Sequence, residues 1–248
     1  MQNTSYLTYK LSPKEFLLYL VLFEAAAIIT AHFFYDSIYP VIATNIFLKK
    51  YFNAVSNYLQ NKRVKKIRLE FLDFINSVSD SLNTGYSLEN SISESLKPLS
   101  ALYGENSILY REVLYMKKKL LINIPIETVF EDFSSRTGID EIIAFSEVIK
   151  ISKKGGGDMI AIIKSTITTI RAKIELTEDI SATVSSKKYE QLVMMVMPFA
   201  IFAYIDITQP EFFSPLYHNL LGIIISSICL LIYIGSIFIS KKILEIEV

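Results

Sequence analysis

The sequence predicts an all-α integral membrane protein in which a cytosolic helical bundle of about six helices lies between N-terminal and C-terminal transmembrane helices. Hydrophobic residues make up 51% of the 248 residues, and the mean hydropathy is +0.37, which is more than one soluble core requires. Apolar runs of bilayer length lie near both ends of the chain, at 16–35 and 220–239. The region between them repeats apolar residues at the helical spacing of three and four.

The N-terminal residues 1–15 are expected to be cytosolic, and the first predicted span follows at 16–35. This run starts too late and is too long for a signal peptide, so we expect a retained anchor. A shorter apolar run, 37–48, would return the chain and complete a transmembrane hairpin over 16–48. Glu24 lies within the first span, where an ionised carboxylate costs about 2.5 to 3.5 kcal/mol at the bilayer centre. We therefore expect Glu24 to make an intramembrane contact with another helix or subunit, with proton relay the less favoured alternative.

Two further spans are predicted near the C-terminus. The third, 191–207, contains one Pro and one Asp, and the fourth, 220–240, is free of charged residues as far as Ile239. An extracytoplasmic loop, 208–219, would join them, and 241–248 would form a cytosolic tail.

The distribution of Lys and Arg predicts the topology. Basic residues gather in a linker at 49–68, at Lys187 and Lys188, and at Lys241 and Lys242, whereas the two short connectors near positions 36 and 212 contain neither Lys nor Arg. By the positive-inside rule the basic segments are cytoplasmic. Both termini and the domain 49–190 are then inside, which favours four spans over three in a multi-pass protein.

The domain 49–190 reads as a bundle of helices separated by Gly or Pro. Apolar stripes at helical spacing include Phe71, Phe74, Ile75, Val78 and Leu82, then Leu88, Ile92 and Leu96, then Leu109, Val113, Met116 and Leu120. Helix breaks are predicted at Thr84-Gly85, Pro98, Tyr103-Gly104, Pro125, Thr137-Gly138 and Gly155-Gly156-Gly157. Gly85, Gly155, Gly156 and Gly157 are thus predicted structural turns, and Ser87 and Asp158 are predicted N-caps.

The last bundle helix is predicted to be unusually long. From Asp158 an Ile-rich pattern at three-four spacing runs without a breaker and continues into the span at Leu192. Such a helix would join the bundle mechanically to the membrane. Arg171 and Glu175, four residues apart, could form an ion pair on its polar side.

Enzyme chemistry is not indicated by the sequence. Cys229 is the single cysteine and only two histidines, His32 and His218, are present, both expected near the membrane surface. These residues cannot supply a disulfide framework or a zinc site, and no Ser/His/Asp, Cys/His or paired-carboxylate arrangement stands out. We expect no catalytic residue, no metal, no cofactor and no nucleic-acid partner.

Two lysine-rich segments are candidate partner-docking sites, although each has a simpler interpretation. The run Lys117-Lys118-Lys119 more readily forms a solvated stripe than a docking face for an acidic partner. The segment Lys153-Lys154-Gly155-Gly156-Gly157-Asp158 invites a phosphate-loop interpretation, but it lacks the Gly-Lys-Ser/Thr ending and its Asp would repel phosphate. A tight corner between helices is the favoured interpretation. The candidate docking residues are Lys117, Lys118, Lys119, Lys153, Lys154 and Asp158.

Several motifs in order resemble the type II secretion system F-domain family, the platform proteins of pilus and secretion machines. They are Asn83-Thr84-Gly85-Tyr86-Ser87-Leu88, then Lys154-Gly155-Gly156-Gly157-Asp158-Met159, the long Ile-rich helix and a Met-Pro span. The segment Pro210-Glu211-Phe212-Phe213-Ser214-Pro215-Leu216 and the ending Lys241-Lys242-Ile243-Leu244-Glu245-Ile246-Glu247-Val248 resemble the Tad (Flp) pilus branch of that family. The resemblance covers nearly the whole chain.

This resemblance implies a platform in the bacterial inner membrane that couples a cytosolic hexameric assembly ATPase to the extraction and assembly of pilin. ATP chemistry would then belong to the partner. Since the sequence has one bundle where many such platforms have two, the resemblance also implies a homo-oligomer or a pairing with a TadC-like platform protein. A permease-like transporter subunit and a membrane signalling scaffold remain the alternative functions.

Overall fold

In the computed structural model of the chain, the described residues are 6, 9, 11–154, 159–209, 211–217 and 219–246. Within these ranges every regular secondary-structure element is a helix, as the sequence predicted. The α-helices are α1 (Pro13–Tyr35), α2 (Tyr39–Thr44), α3 (Leu48–Asn83), α4 (Leu88–Glu94), α5 (Leu96–Tyr103), α6 (Ile108–Leu121), α7 (Ile126–Thr137), α8 (Asp140–Lys154), α9 (Met159–Thr208) and α10 (Leu220–Ile246), with a 3₁₀ turn, Asn45–Phe47, between α2 and α3.

Three helices are long and apolar enough to cross a membrane. They are α1, α9 over the residues Ile160–Thr208, and α10 over the residues Leu220–Ile243. An apolar helix of this length buries its side chains in lipid at little cost and satisfies its backbone polar groups internally. These three helices agree with the prediction of a membrane protein from the sequence.

The chain divides into two compact units. The first, the bundle unit, comprises Met1–Lys10 and Ser56–Thr177; the second, the hairpin unit, comprises Leu11–Val55 and Glu178–Val248. Helices α3 and α9 each contribute residues to both units.

The bundle unit is built around fully buried aromatic rings. The Phe71 ring centroid lies 5.9 Å from that of Phe145 and 6.4 Å from that of Phe133, so α3, α7 and α8 share one core. The predicted stripes face this core, with Leu120 only partly buried at its edge. From α9 the same core receives Ile163, Ile167, Ile170 and Ile174.

Seven helices, α3 to α9, occupy the region where the sequence predicted about six. Pro98 was a predicted break but lies in the first turn of α5, where a missing N–H is tolerated because that group has no intrahelical acceptor. The chain instead breaks at Ser95, between α4 and α5. The predicted linker 49–68 is also helical, as part of α3.

The turn between α3 and α4 has the predicted chemistry. Gly85 adopts a φ of +90°, a conformation that costs glycine little because it has no Cβ. Ser87 then caps α4, its Oγ accepting the N–H of Asn90 at 3.3 Å. Gly155, Gly156, Gly157 and Asp158 lie outside the described residues, between the end of α8 and the start of α9.

In the hairpin unit the chain returns alongside α1. The Phe16 and Phe52 rings stack with their centroids 4.4 Å apart, and the Phe23 and Tyr51 centroids are 4.9 Å apart. Since 19 helical residues separate Phe16 from Tyr35 along about 28 Å of α1, the following segment travels most of that distance back. Residues 37–48, the predicted second span, contain α2, the 3₁₀ turn and the first residue of α3. They are not among the three helices of spanning length, and their crossing stays a prediction.

A second hairpin joins α9 to α10. The Tyr233 hydroxyl donates a hydrogen bond of 2.6 Å to the Met195 carbonyl, and the Tyr233 and Phe199 rings meet edge to face. The connection after α9 lies near the end of α1, because the Tyr217 hydroxyl donates to the Phe33 carbonyl at 3.0 Å. The turns of both hairpins therefore lie at the same end of this unit.

Of the two histidines expected near the membrane surface, His32 is among the described residues. His32 lies at that same end, with its Nε2 3.6 Å from an Asp206 carboxylate oxygen. His218 falls outside the described residues.

We expect Phe71→Ala to lower the free energy of unfolding of the bundle unit by about 3 to 5 kcal/mol, because a fully buried ring leaves a cavity between three helices. Urea unfolding of the full chain in detergent, followed by far-ultraviolet circular dichroism, measures this. Tyr58→Ala on the exposed face of α3 is the matched control and should change stability by less than about 0.5 kcal/mol. Equal losses in the two variants would contradict the assigned core.

Candidate partner-binding site

The three lysines of α6 have different surroundings. The Lys119 ammonium is 2.8 Å from an Asp132 carboxylate oxygen and lies over the Tyr115 ring at 4.6 Å. Lys118 is exposed, while Lys117 is half-buried. Only Lys118 therefore combines high exposure with a position on the open surface of α6, whereas Lys119 is held inside the bundle unit.

Lys118 belongs to a mixed surface that we call the α6 stripe, formed by the exposed residues Arg111, Tyr115, Lys118 and Ile122. Their spacing of four, three and four places them on one face of the helix. Ile122 is 70% exposed and its neighbour Leu121 is 72% exposed. A surface that joins arginine, tyrosine and aliphatic side chains has the composition of protein interfaces.

Sequence reasoning identified Lys118 of this surface but missed Arg111, Tyr115 and Ile122. The sequence could have pointed to these residues, because they lie on the face of α6 opposite its buried stripe. An amphipathic helix is expected to carry charged and polar groups on that face. Exposed Tyr and Ile on that face depart from the pattern, and the structure shows that they adjoin Lys118.

The start of α6 is fixed by a buried carboxylate. Glu70 of α3 is fully buried, and its Oε2 accepts the Leu109 N–H at 3.2 Å. Ser107 caps the same helix, since its Oγ accepts the Tyr110 N–H at 3.1 Å. Burial raises the pKa of Glu70 above its usual value, although the Leu109 N–H and Lys66 favour the ionised form.

The N-terminal segment is bound to the bundle through Tyr6. This residue is 8% exposed, its hydroxyl donates to Glu112 Oε1 at 2.5 Å, and its N–H donates to the Arg136 carbonyl at 3.2 Å. Burial, followed by the bond to Glu112, raises the pKa of Tyr6 to about 12. The Arg136 guanidinium completes the cluster with a 2.6 Å ion pair to Glu112. Residues 1–15 had been interpreted only as a cytosolic N-terminus, so this docking was not predicted.

Two polar contacts attach α9 to the rest of the bundle unit. Glu141, 4% exposed at the start of α8, lies 3.0 Å from both Lys173 Nζ of α9 and Arg68 Nε of α3. The Arg171 Nε donates a 3.0 Å hydrogen bond to the Asn76 side-chain oxygen. Arg171 therefore bonds across helices, where the sequence had suggested the local pair with Glu175.

The glycine-loop half of the predicted docking set is only partly described. Lys153 and Lys154 are the last residues of α8, and nothing is described of their side chains, while Asp158 and the three glycines lie outside the described residues. In the described ranges, no group of three or more His, Cys, Asp or Glu side chains is placed to hold a metal ion. Glu24 is half-buried on α1.

Comparison of the chain with protein-family models, with curated proteins and with solved structures finds no match. The resemblance to the F-domain family consequently stays a prediction from the motifs.

We expect acid to weaken the attachment of α9 through Glu141. Burial opposes ionisation of this carboxyl, but Lys173 and Arg68 outweigh it and hold its pKa below the ordinary value of 4.5. A lowered pKa in the folded state stabilises the fold above the unfolded-state pKa, and this contribution is lost as the pH falls through the lower folded-state pKa. The stability of the wild type should therefore decline below about pH 4.5 with a component that Glu141→Gln lacks.

At neutral pH Glu141→Gln should cost about 1 to 3 kcal/mol, because two cations lose a charged acceptor that is buried. Glu131→Gln is the control, since Glu131 forms an exposed ion pair with Lys150 and should contribute less than about 1 kcal/mol. Unfolding of the full chain at several pH values tests both statements. An unchanged acid slope in Glu141→Gln would contradict them.

Proposed function

We propose that this chain is an inner-membrane platform protein of a Tad (Flp)-type pilus or related type II secretion machine, similar to TadB. It would couple a cytosolic hexameric assembly ATPase to the extraction and assembly of pilin. The observation that carries the proposal is helix α9, which runs unbroken through the 50 residues Met159–Thr208. Its first half supplies core residues of the bundle unit, and its second half is apolar enough to cross a membrane.

A helix of this length extends about 75 Å and can transmit force along its axis, because its backbone is hydrogen-bonded from turn to turn except at Pro198, which has no N–H to donate. The contacts of Lys173 with Glu141 and of Arg171 with Asn76 support this role, since they tie α9 to α8 and α3. A partner that moved the bundle unit would therefore also move α9. ATP hydrolysis would take place in the partner.

The α6 stripe is the surface that we propose for the ATPase. It combines two cations with an exposed tyrosine and isoleucine, a combination that suits a partner with acidic residues around an apolar patch. Because the chain has one bundle unit, a second copy or a TadC-like platform protein would complete the platform.

Four membrane crossings, with both termini on the cytoplasmic side, fit this role. The contact of Tyr6 with Glu112 supports this topology, because the N-terminal segment and the bundle unit must lie on the same side of the bilayer. An even number of crossings between Tyr9 and the body of α3 follows from that contact. Phe52 stacks against Phe16, so the chain after α1 returns to the beginning of that helix. This return supports the interpretation of the segment after α1 as the second crossing.

We expect the topology to be visible by thiol labelling. In a Cys229→Ser background, Ser214→Cys in the loop before α10 should react with a membrane-impermeant maleimide in right-side-out vesicles, and Lys14→Cys should not. Both sites are exposed, so both should react once the vesicles are permeabilised. Labelling of Lys14→Cys in sealed vesicles would reject the four-crossing arrangement.

We expect the full chain, reconstituted in phospholipid vesicles, to bind the hexameric ATPase of its own secretion or pilus system and to stimulate ATP hydrolysis. Lys118→Glu should weaken binding about tenfold, because it reverses the charge in the middle of the α6 stripe. Lys62→Glu makes the same charge reversal on the exposed face of α3 and should change binding less than twofold. Absence of binding by the wild type, together with normal pilus assembly in cells lacking the protein, would refute the proposed function.

A further inference from the structure

The hairpin unit contains an open groove of about 630 Å³ between α9 and α10. It begins directly beside the contact between Tyr233 and Met195, at Met194 and Ile232, and it extends away from the loop that connects the two helices. Gly235 contributes to its width, since a Cβ at this position would meet no atom within 4 Å. The groove therefore has room for a ligand beside the helices.

The α9 wall of the groove changes from apolar to polar along its length, whereas the α10 wall keeps the apolar residues Ile239 and Ile243 towards the polar end. Met194 of α9 and Ile232 of α10 lie nearer the Tyr233 contact and are 77% and 67% exposed. Lys187 lines the opposite end. Lys187 lies eight residues before Met195 in α9, and Lys241 lies eight residues after Tyr233 in α10. Because the two helices are antiparallel, both lysines lie at the same level, about 12 Å along the helices from the contact between Tyr233 and Met195.

The level of Lys187 and Lys241 matches the expected position of a membrane surface. From Lys241 back to Leu220 the helix rises about 31 Å, which is the thickness of the hydrocarbon core. Lysines at this depth lie among lipid headgroups, and the apolar walls beyond them lie among acyl chains.

The side-chain amide of Gln191 supplies a separate observation. Gln191 lines the groove four residues after Lys187, and its Nε2 is buried with no hydrogen-bond partner among the described residues. A buried donor without an acceptor costs free energy, and an acceptor that reached the Gln191 amide would remove that cost. Lys187 and Gln191 face the groove together because residues four apart share one helix face.

We propose that this groove binds an anionic phospholipid, whose phosphate accepts hydrogen bonds from Lys187 and Gln191 and whose acyl chains lie against Met194 and Ile232. The charge balance fits an anion. Among the described residues that line the groove Glu190 is the one acid, whereas four lysines, Lys187, Lys188, Lys241 and Lys242, lie at its mouth or beside it. This inference requires only that α9 and α10 are membrane helices, and it is independent of the proposed role in pilus assembly.

The test compares dioleoyl phosphatidylglycerol with dioleoyl phosphatidylcholine, which share acyl chains and differ in headgroup charge. The full chain in mild detergent is titrated with a spin-labelled form of each lipid, and the immobilised fraction is measured by electron paramagnetic resonance. The wild type should prefer the anionic lipid at least fivefold. Lys187→Gln combined with Gln191→Leu should abolish this preference, because both donors to the phosphate are lost.

Two matched controls separate the groove from general attraction to the surface. Lys188→Gln removes the same charge from the neighbouring exposed position outside the groove and should retain at least half of the preference. Gly235→Phe fills the groove and should prevent immobilisation of both lipids, whereas Ile234→Phe on the exposed side of α10 should not. Circular dichroism and the elution volume of each variant establish that it is folded.

Three results would overturn the proposal. They are an absence of preference in the wild type, equal effects of Lys187→Gln and Lys188→Gln, and a Gly235→Phe variant that retains lipid but no longer self-associates. The last result would identify the occupant as a helix of a second copy.

Discussion

Helix α9 is the constraint on which the rest of the structure depends, because one continuous helix must satisfy two different environments. Its first half presents isoleucines to the bundle core on one face and mainly polar side chains on the others, with Ile160 and Ile162 exposed among them. From Leu192 onward it is apolar around its circumference, with Leu192, Val193 and Met194 all exposed. A helix that is apolar on every side requires lipid or other helices around it, so the division of the chain into two units follows the change of environment along this helix.

The bundle unit holds α9 through charges as well as through packing. Glu141 is buried between cations from α3 and α9, and its geometry is favourable for both. Buried ion pairs contribute little net stability compared with apolar packing, but they penalise alternative arrangements that leave a charge unpaired. We interpret these contacts as specifying the rotation of α9 against α3 and α8.

Helix α6 shows the same principle at a surface. Glu70 satisfies its first turn from inside the bundle, and Ser107 caps it. The exposed face is then free to carry Tyr115, Lys118 and Ile122, which contribute little to the core. The groove between α9 and α10 is comparable, because it is lined by the small residues Gly235 and Ser236 and a Cβ at Gly235 would meet no atom within 4 Å. These are the two surfaces at which we propose partners, a protein at α6 and a lipid at the groove.

Periodicity and composition determined the helical class, the apolar spans at both ends and the core stripes, because these depend on interactions between residues three or four apart or on the length of one segment. The long first part of α9 followed from the absence of a breaker between Asp158 and Leu192, and the helix continues through Pro198 in the span. Tertiary structure alone decided that Arg171 bonds to Asn76, that Lys119 is held by Asp132, and that Tyr6 docks on the bundle. It also decided the break at Ser95 and the return of Phe52 to Phe16. These features join residues distant in sequence or depend on competition between neighbouring turns, and a single sequence carries no local signal for either.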